Sequence, residues 1–255
     1  MAGVSDTAYA IATMRALEAE RPERERLFED PFARIFAEAG AHAEAGTKLF
    51  LSLPFFHDGV RLRTRFVDNA VREALADGLR QVVLLGAGFD MRAQRMPEIA
   101  GSGARVFEVD VPEALSTKRA LLEAAGVESP DHVARVAADF LDRDLPAKLR
   151  TDLEAHGHRV GEGTLFVLEG VVAYLDAPAV ERTFQLAGAL GTRLVFDFAP
   201  TAFEPDPAEA RTRRAGFSRF EQVGFDVLWR RYMPQAGPPH ENAAIPHMGT
   251  AAQES

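Results

Sequence analysis

The chain has 255 residues, 47% of them hydrophobic, with a formal net charge of −9; that is enough for one full core, and no composition break suggests two independent domains. The negative charge argues against a nucleic-acid partner, whose phosphates require a clustered positive face, and the absence of cysteine removes disulfides and thiolate metal sites. No spacing of His, Asp and Glu compels a metal site, no apolar run approaches the roughly 20 residues of a membrane helix, and the N-terminus lacks the order of a signal peptide, so a cytoplasmic protein without a membrane partner is expected.

Residues 1–79 read as helical. Ser5 or Asp6 can cap a segment whose Ala8, Ile11, Ala12 and Ala16 share a face, and Pro22 stops it. The arginines from Arg21 to Arg26 alternate with Glu20, Glu23 and Glu25, as on a solvated helix surface. A second helix is predicted after Asp30-Pro31, where Phe32, Ile35 and Phe36 share a face. A third carries the stripe Leu62, Phe66, Val67, Ala70, Val71 and Leu75, with Gly78 placed to end it. These residues are predicted to form a helical cap on the substrate side. Its Phe28, Phe32, Phe55 and Phe56 either roof an apolar pocket or form helix core.

From Gln81 the pattern changes to strand alternating with helix. Strands are predicted at Val82 to Leu85, Ala104 to Val109, Ala134 to Ala137, Leu165 to Leu168 and Leu194 to Phe198, with helices opening at Asp90, Pro112, Asp144 and Asp176. This alternation predicts an α/β domain over residues 80–255, a doubly wound, mostly parallel sheet whose ligands sit beyond the carboxyl ends of the strands. Phe225 to Trp229 and Arg231 to Met233 are predicted as two antiparallel strands at the sheet edge, and the tail from Pro234 as a loosely ordered, short extension.

Gly86, Ala87 and Gly88 follow the apolar run Gln81 to Leu85, and an acid, Asp110, follows 22 residues after Gly88 at the tip of the next strand. Such a unit holds a nucleotide cofactor: glycine lets backbone approach the ligand, and the acid takes the two ribose hydroxyls. A dinucleotide fingerprint wants a small residue where Met91 stands. Asp90 occupies the start of the helix, so its charge is expected to face the ligand, disfavouring a pyrophosphate and favouring an ammonium or sulfonium. Two more strand tips carry acids: Asp139, beside Phe140, can meet an adenine, and Glu169 lies where the amino-acid part of a cofactor would be. Adenine, ribose and a cationic amino acid together are the inventory of S-adenosylmethionine; NAD shares the first two but has no amino-acid part.

With these residues in view, the chain resembles the leucine carboxyl methyltransferase-like group of class I S-adenosylmethionine-dependent methyltransferases, which has many bacterial O-methyltransferase members. The resemblance runs from about Ser5 to Ala199. It is carried by Thr7-Ala8 with Arg15-Ala16, Asp30-Pro31-Phe32, Arg63 to Asp68, Leu85 to Asp90, Glu108 to Pro112, Ala138 to Phe140, and Glu169-Gly170 with Tyr174-Leu175. It implies a Rossmann-like class I methyltransferase fold, S-adenosylmethionine as cofactor and S-adenosylhomocysteine as product. It further implies that Arg63 holds the methionine carboxylate, the turn from Gly86 to Gly88 the methionine end, Asp110 the ribose, Asp139 and Phe140 the adenine, and Glu169 the amino group. Two features depart from the family: Met91 replaces a common threonine, and the region after Ala199, which usually contributes to the substrate pocket, is shorter than in many members.

The residues alone leave blander readings open, with Arg63 and Arg65 as surface ion pairs, Asp110 and Asp139 as turn caps, and Glu169 as a structural acid. The function expected is O-methylation of a small organic molecule, with secondary metabolism as its setting. A carboxylate acceptor needs no base because its oxygen is already ionised. A hydroxyl acceptor is helped by one, and Tyr174, His57, His240 and His247 are the candidates. Two rivals keep the fold: a protein that binds S-adenosylmethionine without methylating, and an NAD-dependent oxidoreductase, which Met91 and the strand-tip acids disfavour. The sequence carries no signature of the acceptor's identity or of the oligomeric state.

Overall fold

The computed structural model describes residues 6–40, 48–50, 52–53 and 55–254. Among them a seven-stranded sheet is built from β1 (Gln81–Leu85), β2 (Arg105–Asp110), β3 (Val133–Ala137), β4 (Thr164–Leu168), β5 (Arg193–Phe198), β6 (Arg219–Gly224) and β7 (His247–Ala252), in the order β3-β2-β1-β4-β5-β7-β6. The first five strands run parallel, and β7 is antiparallel to both its neighbours. Every residue of β1 and β4 is buried, because helices cover both faces, as a parallel sheet requires. The alternation of side chains divides the core in two: Val83 and Leu85 pack with Phe166, Phe184 and Phe196, whereas Val82 and Leu84 pack on the other face with Leu62, Val67 and Val71.

The N-terminal helices are α1 (Asp6–Glu18), α2 (Ala33–Ala39) and α3 (Phe56–Ala76). The stripe read from Leu62 to Leu75 is the buried face of α3. Between the strands lie α4 (Arg92–Arg95) and α5 (Pro97–Ser102), α6 (Pro112–Ala124), α7 (Leu145–Ala155) and α8 (Ala177–Leu190). Asp176 caps α8 by accepting from the Ala179 amide at 2.8 Å. The helix expected to run on from Asp90 is instead two short pieces, broken where Pro97 opens α5.

The C-terminal region corrects the sequence reading most. Phe225 to Trp229 and Arg231 to Met233 are not a strand pair: residues Phe225–Tyr232 form one helix, α10, which follows α9 (Ala208–Arg214) and β6. Phe225, Leu228 and Trp229 are buried at helical spacing while Val227 is exposed, a period of 3.6 mistaken for one of 2. The tail beyond Pro234 is not loose throughout, because β7 enters the sheet between β5 and β6. Its Gly249 faces Phe196, whose ring leaves only 2.7 Å for an added Cβ. A strand made of His, Met, Gly, Thr and Ala has no β-branched run to announce it.

One glycine in α8 supplies a test of this packing. A Cβ on Gly188 would fall 1.8 Å from the carbonyl oxygen of Ala215. Glycine to alanine inside a helix ordinarily gains about 1 kcal/mol, but here two backbones would have to separate, and overpacking of that kind costs about 1–3 kcal/mol or more. Gly188→Ala is therefore expected to lower the melting temperature by about 2–8 °C. An unchanged or higher melting temperature would show that the segment after α9 yields freely.

Candidate functional site

The order of the strands reverses between β1 and β4, and the crevice at that switch is where ligands of such sheets bind. It holds a cavity of about 380 Å³. The turn after β1, the tips of β2 and β4, the segment after β3 and one face of α1 line it, and Asp110, Asp139, Phe140 and Glu169 all belong to the lining.

The turn after β1 is tied to β2. Gly86 and Ala87 both donate their amides to the Val109 carbonyl, at 2.8 and 3.0 Å. Gly88 donates to Asp110 Oδ2 and Val111 to Asp110 Oδ1, each at 2.7 Å. Gly86 has φ +69°, and an added Cβ would lie 2.3 Å from Val171 Cγ2, so the position demands glycine twice over. Amides used in this way are not free to cradle a pyrophosphate, which needs the open N–H groups of a helix N-terminus. The expectation that Asp90 turns its charge on the ligand is corrected: its carboxylate accepts from the Arg92 amide at 2.8 Å and pairs with the Arg92 guanidinium. Its carbonyl accepts from the fully buried Lys118, which also holds Glu108 on β2 at 2.8 Å. Met91 is fully buried and packs with Tyr9, Phe36 and Phe89, filling with side chain the room a dinucleotide fold leaves for close helix approach.

Asp110 keeps lone pairs beyond the two its amide partners use. Burial raises its carboxyl above the ordinary range, a shift that those two amides oppose. Asp139 is exposed and accepts from the Leu141 amide at 2.9 Å, a turn cap as well as a cavity wall, and Phe140 beside it is buried.

Glu169 is the most heavily charged point of the cavity. Its side chain is 6% exposed, and Oε1 lies 3.1 Å from Arg63 Nε and 3.4 Å from Arg15 Nη2, while Oε2 lies 2.7 Å from Arg92 Nη1. Burial alone would raise this carboxyl, but Arg92, with Arg15 and Arg63, holds it far below the usual carboxylate range. Arg63 also reaches Asp197 Oδ2 at 3.4 Å, and Asp197 Oδ1 accepts from the Gly170 amide at 2.5 Å, fixing the turn after Glu169. Arg63 is thus no surface ion pair. Arg65 belongs elsewhere, bonded to the Leu27 carbonyl at 2.7 Å and stacked over Tyr232. Sequence reasoning gave no role to Arg15, Arg92 or Asp197. Asp197, next to last in β5, follows the strand-tip rule that found the other acids.

Of the candidate bases, Tyr174 lines the cavity in a short turn of helix and is 58% exposed. His57, His240 and His247 are not among the residues lining it. His57 stands in the first turn of α3, not in a loop; its Nε2 is buried without a hydrogen-bond partner, and burial lowers its pKa. His240 Nδ1 accepts from the Asn242 amide at 3.2 Å, and its ring stacks on Phe55. His247 opens β7, with Nδ1 3.2 Å from the Ile245 carbonyl. Among the described residues, no group of three or more His, Asp or Glu could hold a metal, and no helix is long and apolar enough to cross a membrane.

Residues 8–187 match the leucine carboxyl methyltransferase family. The chain belongs to that family. It is 36% identical over 244 residues to a Frankia alni protein provisionally named an S-adenosyl-L-methionine-dependent methyltransferase, covering 92% of this chain and 83% of that one. A Streptomyces coelicolor protein of the same provisional name is 38% identical over 206 residues, covering 75% and 68%. Among solved structures, a DUF574 family protein from Streptomyces avermitilis matches with a TM-score of 0.61 and 16% identity over 97% of each chain. A protein from Thermobifida fusca, described provisionally as a methyltransferase, matches with a TM-score of 0.58 and 18% identity over 97% and 94%; these two show the shared fold. The enzyme is an S-adenosylmethionine-dependent methyltransferase, and S-adenosylmethionine is its cofactor.

The methyltransferase's cavity fits that cofactor on its donor set. Two guanidiniums, Arg15 and Arg63, stand beside one fixed carboxylate, and Arg15 Nε is buried without a partner, a free donor suited to an anionic group. Asp110 offers unused lone pairs to a diol, and Gly86 and Gly88 present bare backbone to the cavity.

Proposed function

We propose that this methyltransferase transfers the methyl group to a carboxylate or hydroxyl oxygen of a small organic molecule, with a carboxylate the favoured acceptor. The observation that carries this reading is the composition of the cavity wall: among the described residues it includes no histidine, and its acids are engaged by amides or guanidiniums. An acceptor that arrives ionised needs none of them as a base.

When bound, the cofactor supplies a methyl group activated by a sulfonium. In this reading Arg63 and Arg15 grip the methionine carboxylate, Glu169 the ammonium, Asp110 the ribose hydroxyls, and Asp139 with Phe140 the adenine. The described N-terminal helices act as the cap over the acceptor, and Ile11 and Tyr174 border the space where it would enter. Alignment and exclusion of water are the chain's contribution to an in-line displacement. Cytoplasmic action and a place in secondary metabolism complete the reading, and genes adjoining its own would test the latter.

Labelled methyl transfer to a panel of carboxylic acids and phenols decides between acceptors. Esters release volatile labelled methanol in alkali and ethers do not, so an alkali-stable product would overturn the carboxylate reading. Tyr174→Phe is expected to leave kcat within about threefold, because loss of a true general base costs about 10²–10⁴-fold; a fall of that size would make Tyr174 the base. A hydroxyl acceptor is the second reading, favoured by the Tyr174 hydroxyl, the one candidate base among the described residues that line the cavity.

A further inference from the structure

Behind Glu169 lie four buried charges, of which only Arg92 has entered the site so far. Arg92 Nε lies 2.7 Å from Asp68 Oδ1; Arg95 holds both oxygens of Asp68, at 2.6 and 2.8 Å; and Arg95 Nε reaches Asp30 Oδ2 at 3.8 Å. All four side chains are 4% exposed or less. From the cavity inward the charges alternate along Glu169, Arg92, Asp68, Arg95 and Asp30. They join the tip of β4 to α4, then α3, then the turn before α2. Asp30 and Asp68 belong to sequence motifs that no ligand-facing role has absorbed, and neither they nor Arg92 and Arg95 line the cavity.

We propose that Arg92, Asp68, Arg95 and Asp30 form a positioning chain that fixes the orientation and charge of Glu169 for the ammonium of the bound cofactor. The two oxygens of Glu169 are treated differently. Oε2 is held by Arg92, which is buried and cannot leave. Oε1 is held by Arg15 and Arg63, which line the cavity and can turn to the cofactor's carboxylate, freeing Oε1 for its ammonium. Arg92 is itself pinned from behind by Asp68 and from the side by Asp90. A buried ion network is a weak source of stability, because apolar residues of the same volume commonly do as well. Its yield here is an acid that neither rotates nor takes up a proton. Arg92 and Arg95, three apart on α4, both reach Asp68 before Pro97 turns the chain.

This inference rests on Glu169 as the ammonium site, and one comparison of ligands separates the two. S-adenosylhomocysteine carries ammonium and carboxylate; 5′-methylthioadenosine keeps the adenosine and lacks both. The ratio of their dissociation constants, by calorimetry, reads the amino-acid end alone. Glu169→Gln lowers the preference for S-adenosylhomocysteine if Glu169 is the ammonium site, and an unchanged preference sinks that reading. Arg92→Lys and Asp68→Asn are expected to weaken S-adenosylhomocysteine about tenfold or more, about 1.4 kcal/mol, and 5′-methylthioadenosine less than twofold. Equal weakening of both ligands, or of neither, while Glu169→Gln does lower the preference, overturns the positioning chain alone. Should neither variant fold, the native protein decides. With Glu169 held ionised, its preference should stay flat from pH 8 to about pH 4, where a carboxyl at its ordinary value of 4.5 is mostly protonated, and a preference that falls between about pH 5 and pH 4 contradicts the chain.

Discussion

Replacing Glu169 with glutamine is expected to raise the dissociation constant of S-adenosylhomocysteine about a hundredfold or more and to cost the fold about 3–5 kcal/mol. Both effects have one cause. The carboxylate is the shared partner of Arg15, Arg63 and Arg92; without it three guanidiniums face one another in a buried space, and the ammonium of the ligand loses its counterion. Calorimetry and urea unfolding measure the two losses separately. The sign of the pH dependence is also set. The carboxyl's folded pKa lies below its ordinary value of 4.5, so its stabilising contribution is complete above that value and is lost as pH falls below it. The stability gap between native protein and variant should therefore be constant from neutral pH down to about pH 5.5 and narrow in more acid solution. A variant that binds as tightly as the native protein would remove Glu169 from the site.

The second large effect is expected at Asp110. Asparagine there keeps the shape but turns an amide NH₂ toward one of two backbone amides, Gly88 or Val111, that the carboxylate now accepts from at 2.7 Å. The turn that carries Gly88 loses its tie to β2, and the ribose loses charge-assisted hydrogen bonds worth about 1.5–3 kcal/mol each. Affinity for S-adenosylhomocysteine and for 5′-methylthioadenosine alike should fall about tenfold to a hundredfold, because both carry the ribose. That pattern differs from the one expected at Glu169. A loss confined to S-adenosylhomocysteine would place Asp110 at the amino-acid end instead.

The parallel half of the sheet was legible because its strands are short apolar runs punctuated by Gly, Pro and Asp, and each predicted strand from β1 to β5 lies within one residue of its observed bounds. The strand-tip acids were legible for the same reason: a residue at the end of a buried parallel strand, or within two residues of it, emerges at the crevice. What failed was amphipathic or small. Phe225 to Tyr232 has aromatics at a spacing that fits helix and strand over so short a window, and β7 is held by its neighbours β5 and β6, not by its own propensity. The ionic surroundings of Glu169 were out of reach too, since Arg15, Arg63 and Arg92 come from three separate stretches of chain and nothing in their spacing brings them to one carboxylate. Asp90 shows the same limit: the helix expected to open at it begins at Arg92, and that residue decides what the charge of Asp90 does.

The account stands on the carboxyl edge of the sheet presenting acids in fixed places to a cationic adenosyl compound. A crystal structure of the protein with S-adenosylhomocysteine bound tests this most directly. The predicted result is a ligand in the cavity with its amino group within hydrogen-bond distance of Glu169 Oε1, its ribose hydroxyls on Asp110 and its adenine against Phe140. A ligand bound with its amino-acid end away from Glu169, or outside that cavity, would contradict it.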